Sequence, residues 1–190
     1  MEPALAEHRR ELLAGLAGRV VEVGAGNGMN FTHYPATVTE VVAVEPEPYL
    51  RARAEEAARA APVPVTVVEG TAERLPADDA VFDAGVASLV LCSVPDQGPA
   101  LAELARVIRP GGQLRFYEHV VADTPGLARA QRAADRVWPR VAGGCHTSRD
   151  TSAAIGAAGF ELQACRRLSF RPCPLAALTA PHVLGRARRP

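Results

Sequence analysis

A glycine-rich stretch is the first feature of the sequence that could do chemistry. The run Val-Gly-Ala-Gly-Asn-Gly places glycines at positions 24, 26 and 28, directly after the valine-rich run Val-Val-Glu-Val at 20–23. A loop that leaves a strand and enters a helix presents backbone N–H groups and the positive end of the helix dipole, and glycine lets a ligand approach the backbone closely. A tight turn would use glycine too, so the residues around the glycines must decide what the stretch binds.

The glycine spacing argues against a dinucleotide. The dinucleotide pattern G-x-G-x-x-G would put its third glycine at position 29, where this chain has Met29. Glu22 precedes the loop, and a carboxylate repels a pyrophosphate but attracts a cationic ligand. The pattern E-x-G-x-G-x-G therefore favours a cationic nucleoside without a phosphate chain.

Polar residues also follow the next two predicted strands. Glu45 comes seventeen residues after Gly28, where a carboxylate can accept both hydroxyls of a ribose, although solvated acids are common at strand ends. Thr71 and its neighbours offer a hydroxyl and backbone amides to an adenine edge. Since the carboxyl ends of parallel strands meet at one edge of a sheet, these residues are predicted to share one crevice.

The elements that must position these residues alternate along the chain. Apolar strands alternate with amphipathic helices, which predicts an α/β fold, doubly wound, with a mostly parallel sheet covered on both faces. A looser segment, 123–150, and two further strand candidates complete the chain. The predicted strands are 19–23, 40–45, 63–70, 80–91, 113–121, 160–170 and 182–187, and the predicted helices are 1–18, 47–61, 97–108, 126–141 and one that ends at Gly159.

Composition excludes several classes of protein. Acidic and basic residues balance at 21 each, so no net charge favours nucleic acid or an anionic membrane. All 21 basic residues are arginines, which excludes Schiff-base and pyridoxal-phosphate chemistry and the Walker phosphate loop, because each needs a lysine. With 190 residues, a single domain is expected.

The cysteines and the start of the chain give further expectations. The four cysteines are far apart in the sequence and form no C-x-x-C pair. We therefore expect reduced thiols, and we expect no zinc site, no other metal site and no redox pair. The start has leucines on one face of a helix rather than a signal peptide, which predicts a cytoplasmic protein. These cysteines are Cys92, Cys145, Cys165 and Cys173.

An ordered set of motifs resembles a known family. The segments "VVEVGAGNG", "VVAVEPEPYL", "GTAERLPADDAVFDAGVASLVLCSVPD" and "ELARVIRPGGQLRFYEH" resemble the class I S-adenosylmethionine (SAM) methyltransferases of the ubiquinone/menaquinone type. A narrower likeness, carried by "RREL", "NFTHYP", "FYEHV", "GGCHTSRD" and "PHVLGRA", is to the group that contains membrane-associated alkyl thiol S-methyltransferases. The apolar N-terminal anchor of that group is missing here, so no integral membrane segment is expected.

The resemblance implies a cofactor and its contacts. The cofactor is SAM, with S-adenosylhomocysteine as product, on a Rossmann-like sheet of seven strands whose last strand is antiparallel. Glu22 would act through its charge or through hydrogen bonds, and Leu89 would lie at the sulfonium. The methionine part of SAM would contact the glycine loop, at Gly24, Ala25, Gly26 and Gly28. The ribose would contact Glu45, with Pro46 beside it. The adenine would contact Thr71, Ala72 and Glu73.

The acceptor side is predicted from residues near the ends of the later strands. His119 is a candidate general base because a neutral imidazole can take a proton near pH 7, although strand-end histidines are as often structural. Alternation along the strand places Glu118 and His119 on opposite faces, so only one of them is expected to reach the acceptor. Segment 123–150 is expected to form a lid, and the remaining candidates for the acceptor pocket are Phe31, Tyr34, Trp138, His146 and Arg149, for which core packing or a solvated surface is the alternative.

The function predicted on this basis is methyl transfer from SAM to a small, rather apolar acceptor. A thiol is favoured over a quinone-like carbon or a hydroxyl, because a thiol with a pKa of about 8.5 needs little help to ionise. The alternatives are a non-catalytic SAM-binding partner subunit and an NAD-dependent oxidoreductase, the latter disfavoured by Met29 and by the absence of a Tyr-x-x-x-Lys pair. A small-molecule acceptor and no nucleic acid are the expected partners, with the oligomeric state open.

Overall fold

The strands of the chain form one sheet whose order is β3-β2-β1-β4-β5-β7-β6. The structure, a computed structural model, describes residues 2–171 and 174–190. Cys173, which is expected to be a reduced thiol, lies outside the described residues. The strands are β1 (Gly18–Val23), β2 (Val38–Val44), β3 (Val65–Val68), β4 (Phe82–Ser88), β5 (Ile108–His119), β6 (Glu161–Ser169) and β7 (Pro181–Arg188).

The pairing confirms the predicted fold class. Strands β1 to β5 are all paired in parallel, and β7 runs antiparallel to both of its neighbours, β5 and β6. The helices are α1 (Glu2–Leu13), α2 (Pro48–Ala58), α3 (Gln97–Val107), α4 (Pro125–Ala134), α5 (Trp138–Val141) and α6 (Thr151–Ala157), with short 3-10 turns at Phe31–His33 and Pro174–Ala177.

Helices cover both faces of the sheet because successive strand residues point to opposite sides. On one face, Val21 and Val23 pack in a core that includes Leu101 and Leu104 of α3. On the other face, Val20 belongs to a second core, which also holds Leu12, Leu13 and Ala54 of α1 and α2. The near-continuous apolar sequence of the strands is therefore explained by burial on both sides.

One predicted helix, 126–141, is divided in the structure. Helix α4 ends at Ala134, and the following Asp135 turns its carboxylate to the backbone N–H groups of Thr147 and Ser148, at 2.7 and 3.3 Å. Pro139 lies in the short helix α5 and has no N–H to donate. The prediction of a single helix was wrong because Asp135, in the middle of the predicted helix, ends α4 and accepts hydrogen bonds from the turn at Thr147 and Ser148.

Among the described residues, no helix has the length and apolar character needed to cross a membrane.

Candidate functional site

A cavity of about 670 Å³ lies at the carboxyl ends of the central strands. We call it the strand-end cavity. It is where a doubly wound sheet places a ligand, since the connections on either side of β1 lead to opposite faces. Its wall contains ten of the eleven residues that the sequence assigns to the cofactor: Glu22, Gly24, Ala25, Gly26, Glu45, Pro46, Thr71, Ala72, Glu73 and Leu89.

The glycine loop after β1 is held by the end of β2. The Glu45 carboxylate accepts hydrogen bonds from the backbone N–H of Gly26, at 2.7 Å, and of Glu47, at 3.0 Å. Gly26 has a φ of +57°, and a Cβ there would meet no protein atom within 4 Å. Because Gly26 lines the cavity, that open space is available to a ligand, and glycine gives both this conformation and this access.

Gly28, the eleventh residue, is not part of the cavity wall. A Cβ at Gly28 would lie 2.7 Å from the ring of Phe31 and 2.8 Å from the Cβ of Ala57. The glycine therefore allows the loop to pack against helix α2 and the core. Its predicted contact with the cofactor is corrected to a packing role, which the sequence pattern could not distinguish from ligand contact.

A chain of hydrogen bonds surrounds Glu22, which is 2% exposed. Asn30 donates to one carboxylate oxygen at 2.8 Å, and the Tyr34 hydroxyl donates to the other at 2.7 Å. Arg9 of helix α1 donates to the Asn30 side chain at 2.7 Å. Burial raises the pKa of Glu22 to about 7, against the two hydrogen bonds, which lower it. A cation in the cavity would favour the ionised carboxylate and so lower this pKa.

Two residues of the cavity wall have a buried polar atom without a protein partner among the described residues. They are Nε of Arg9, a donor, and Oε1 of Glu73, an acceptor. Buried polar atoms are rarely left unpaired, so each suggests that a ligand completes its hydrogen bonds. SAM offers a carboxylate to the first atom and an adenine amino group to the second, and the wall fits this cofactor.

The loop after β4 has an unusual backbone that a buried acid supports. Leu89 has a φ of +60°, which is strained for a leucine. Glu118, fully buried, accepts the backbone N–H groups of Val90, Leu91 and Cys92, each at 3.0 Å. The carboxylate predicted to line the acceptor pocket thus supports the loop that forms the cavity wall.

Arg149 also holds this loop. Its guanidinium donates to the carbonyl oxygens of Leu91, Val94 and Pro95 at 2.7 to 3.0 Å. The sequence offered two roles for Arg149, contact with an acceptor or a solvated surface position. The structure shows neither role. Three carbonyl groups bound by one planar guanidinium fix the path of the loop instead.

None of the residues predicted for the acceptor side lines the strand-end cavity. Phe31 is a core residue below the glycine loop, and Trp138 lies half-buried at the start of α5. His146 lies 3.5 Å from the carboxylate of Asp135. The predicted acceptor contacts of Phe31, Tyr34 and Glu118 are corrected because these side chains are buried, and that of Arg149 is corrected because it binds the loop after β4. For His119, Trp138 and His146, which lie outside this wall, contact with the acceptor stays a prediction.

His119 faces two thiols rather than the cavity. Its Nδ1 lies 3.2 Å from Sγ of Cys145 and 3.7 Å from Sγ of Cys92, and the two sulfur atoms are 3.9 Å apart. The hydrogen bond with Cys145, together with burial, raises the pKa of Cys92 to about 12, and the same bond lowers the pKa of Cys145. We call these three side chains the thiol–imidazole cluster; the sequence, which lacks a C-x-x-C pair, did not predict it.

Several residues of the cavity wall were not predicted. Arg9 lies in "RREL" and Asn30 in "NFTHYP", two segments that carried the family likeness, so a signal for both was present. Gly143 is the one residue of the expected lid, 123–150, that reaches the cavity wall in the described part of the chain. The others are Val23, Asn27, Met29, Glu47, Leu50, Ser88, Val90, Ser93, Val94 and Pro95.

Comparison with known proteins identifies the family. Residues 21–116 match the model of the methyltransferase domain. The chain is 36% identical over 184 residues to thiol S-methyltransferase TMT1B of Mus musculus, an alignment covering 92% of this chain and 73% of the relative. It is 33% identical over 197 residues to thiol S-methyltransferase TMT1A of Homo sapiens, covering 96% of this chain and 79% of the relative.

A solved structure gives the same fold. A SAM-dependent methyltransferase from Thermotoga maritima superimposes with a TM-score of 0.71 at 23% identity, covering 98% of this chain and 89% of the other. This likeness shows the Rossmann-like architecture, and the matches in sequence show the family. The chain therefore belongs to the methyltransferase domain family and is a SAM-dependent methyltransferase.

Proposed function

We propose that this methyltransferase transfers the methyl group of SAM to the sulfur atom of a small, rather apolar thiol. The observation that carries the proposal is the likeness, over 92% of the chain, to a protein named as a thiol S-methyltransferase. This likeness extends beyond the methyltransferase domain match at 21–116 to the segments that follow β5. Those later segments include the turn that contributes Gly143 to the cavity wall.

The cavity wall suggests how SAM is held. We assign the methionine carboxylate to Arg9, whose Nε is buried without a protein partner, and the adenine amino group to Oε1 of Glu73. The buried carboxylate of Glu22 lies in the same wall and would face the positive charge of the methionine part. We assign the ribose to Glu45, whose oxygens also hold the backbone of the glycine loop.

The chemistry of the wall also supports a thiol acceptor. SAM supplies a methyl group on a positively charged sulfur, which is already activated, so the protein has to position the acceptor and exclude water. In the described part of the chain the cavity wall contains no histidine, cysteine or tyrosine. An acceptor that ionises with little assistance suits such a wall, and a thiol with a pKa of about 8.5 does so more easily than an alcohol or a carbon acid.

The test is turnover on acceptors matched in size. Purified full chain is incubated with SAM and, separately, an alkyl thiol, the alcohol of the same length, a phenol and a quinol, and S-adenosylhomocysteine release is measured. We expect release with the thiol, and mass spectrometry should place the methyl group on sulfur. Turnover of the phenol or quinol without the thiol would overturn the choice of acceptor. SAM binding without turnover on any acceptor would favour the partner-subunit alternative.

A further inference from the structure

The thiol–imidazole cluster brings together three segments that are distant in the sequence. Cys92 lies in the loop after β4, His119 is the last residue of β5, and Cys145 lies in the turn between α5 and α6. Their ligand atoms all lie within 4.8 Å of one another. None of the three lines the strand-end cavity, so cofactor binding does not explain why they meet.

The distances match one face of a tetrahedral zinc site. With Zn–S bonds of about 2.3 Å and Zn–N bonds of about 2.0 to 2.1 Å, tetrahedral angles separate two sulfurs by about 3.8 Å and a sulfur from a nitrogen by about 3.6 Å. The observed separations are 3.9 Å between the sulfurs and 3.7 and 3.2 Å from His119 Nδ1 to Cys92 and Cys145. A disulfide would need the sulfurs at about 2.05 Å, so the cluster contains two separate thiols.

We propose that Cys92, His119 and Cys145 bind one Zn²⁺ ion through two thiolates and the Nδ1 atom of the imidazole. Sulfur and imidazole nitrogen are the ligands that Zn²⁺ prefers, whereas Mg²⁺ and Ca²⁺ prefer oxygen. Two thiolates also neutralise the charge of the ion, which matters because Cys92 is 0% exposed and Cys145 is 7% exposed. His119 is partly exposed and gives the ion a route to the site.

The position of the cluster gives the ion a role in the cavity wall. Ser93, which follows Cys92, and Gly143, two residues before Cys145, both line the strand-end cavity. A Cβ on Gly144 would lie 2.7 Å from the carbonyl oxygen of Ser93, so these two wall segments are already in close contact. A bound ion would join them covalently through its two thiolates. Three protein ligands leave the fourth position of a tetrahedral ion to water or to an added thiol.

The first experiment measures metal binding on the full chain, purified under reducing conditions and freed of metal by a chelator. Zn²⁺ is titrated against a chromophoric competitor, and Co²⁺ is added in parallel. We expect one Zn²⁺ per chain and, with Co²⁺, an intense sulfur-to-cobalt charge-transfer band. Neither readout depends on the acceptor or on turnover, so failure of the proposed function and failure of the zinc site are distinguishable.

Variants assign the site. Cys92→Ser, Cys145→Ser and His119→Gln should each weaken Zn²⁺ binding at least about 100-fold, since each removes a ligand. Cys165→Ser is the matched control, because Cys165 is a free, exposed cysteine on β6 outside the cluster. Circular dichroism shows whether each variant is folded, and the Co²⁺ band of the unmodified chain provides an answer even where a variant does not fold. The absence of that band, or Zn²⁺ uptake equal in Cys145→Ser and Cys165→Ser, would overturn the proposal.

Discussion

The strand-end cavity and the thiol–imidazole cluster lie on opposite sides of the same loop but are built differently. The cavity takes its wall from residues that directly follow β1, β2 and β4, and most of them are within a few positions of a strand end. The cluster takes single residues from three segments, positions 92, 119 and 145. The first is a property of the sheet edge, whereas the second exists only because the turn after α5 folds back onto the loop after β4.

The difference teaches how one loop serves two regions. Residues 90 and 93 face the cavity, whereas residue 92 faces the cluster. The Glu118 carboxylate accepts hydrogen bonds from the backbone N–H of Val90, which lines the cavity, and from that of Cys92, which belongs to the cluster. The backbone is therefore fixed once, and neighbouring residues of the same loop contribute to the cavity wall and to the cluster.

The largest effect is expected where the two regions share Glu118. In Glu118→Gln one carboxylate oxygen becomes an NH₂ group, which cannot accept a backbone N–H. Leaving buried polar groups unpaired costs about 1 to 3 kcal/mol each, so we expect the free energy of unfolding to fall by about 2 to 4 kcal/mol, and SAM and Zn²⁺ binding to weaken together. Glu11→Gln is the control, because Glu11 makes an exposed ion pair with Arg166.

Denaturant unfolding and two titrations measure this effect. The control should change the free energy of unfolding by less than about 0.5 kcal/mol. Loss of SAM binding with Zn²⁺ binding unchanged would show that the two regions are not joined through Glu118.

Gly26→Ala separates the two regions. The added methyl group would project into the strand-end cavity, and overpacking costs about 1 to 3 kcal/mol, so we expect SAM binding to weaken by up to about 100-fold while Zn²⁺ binding is kept. Gly111→Ala is the matched control, since Gly111 also has a positive φ, +79°, and open space around it, but is not part of the cavity wall. Isothermal titration with SAM measures the affinity of each variant. Equal weakening of SAM binding in both variants would mean that backbone strain alone is responsible.

Arg9→Gln tests the cofactor contact that helix α1 provides. A hydrogen bond to a charged group contributes about 1.5 to 3 kcal/mol, so its loss should weaken SAM binding by roughly 10- to 100-fold. Arg10→Gln is the control, because Arg10 bonds only the Ala6 carbonyl of its own helix among the contacts described. If adenosine, which lacks the methionine carboxylate, loses affinity to the same extent as SAM, Arg9 acts on the fold of the cavity and not on that carboxylate.

The smallest effect is a pH dependence of SAM affinity. Burial raises the pKa of Glu22 to about 7, so in the ligand-free protein this carboxyl is mostly protonated at pH 6 and mostly ionised at pH 8. Because the cationic cofactor favours the ionised form, we expect the affinity to rise about tenfold from pH 6 to pH 8. Glu22→Gln, which keeps one acceptor for Asn30 or Tyr34, should remove this rise. A rise that persists in the variant would come from the ligand or from another group.

Much of the strand-end cavity could be predicted from the sequence, because it depends on local patterns. Strand ends are visible as apolar runs followed by glycine or acid, and ten of the eleven predicted cofactor residues line the cavity. Gly28 is the exception, since glycine is equally suited to a ligand contact and to packing against Phe31. Arg9 was missed because it belongs to a helix whose position over the cavity depends on packing against the sheet.

The sequence by itself determined the order of the elements, the doubly wound sheet and the cofactor edge, because hydrophobic periodicity and glycine placement act over a few residues. Only the tertiary structure decided what lies behind that edge. It turned His119 toward two thiols and gave Glu118 and Arg149 to the backbone of one loop. Such contacts join residues tens of positions apart, and their direction depends on how segments pack, which no local pattern encodes.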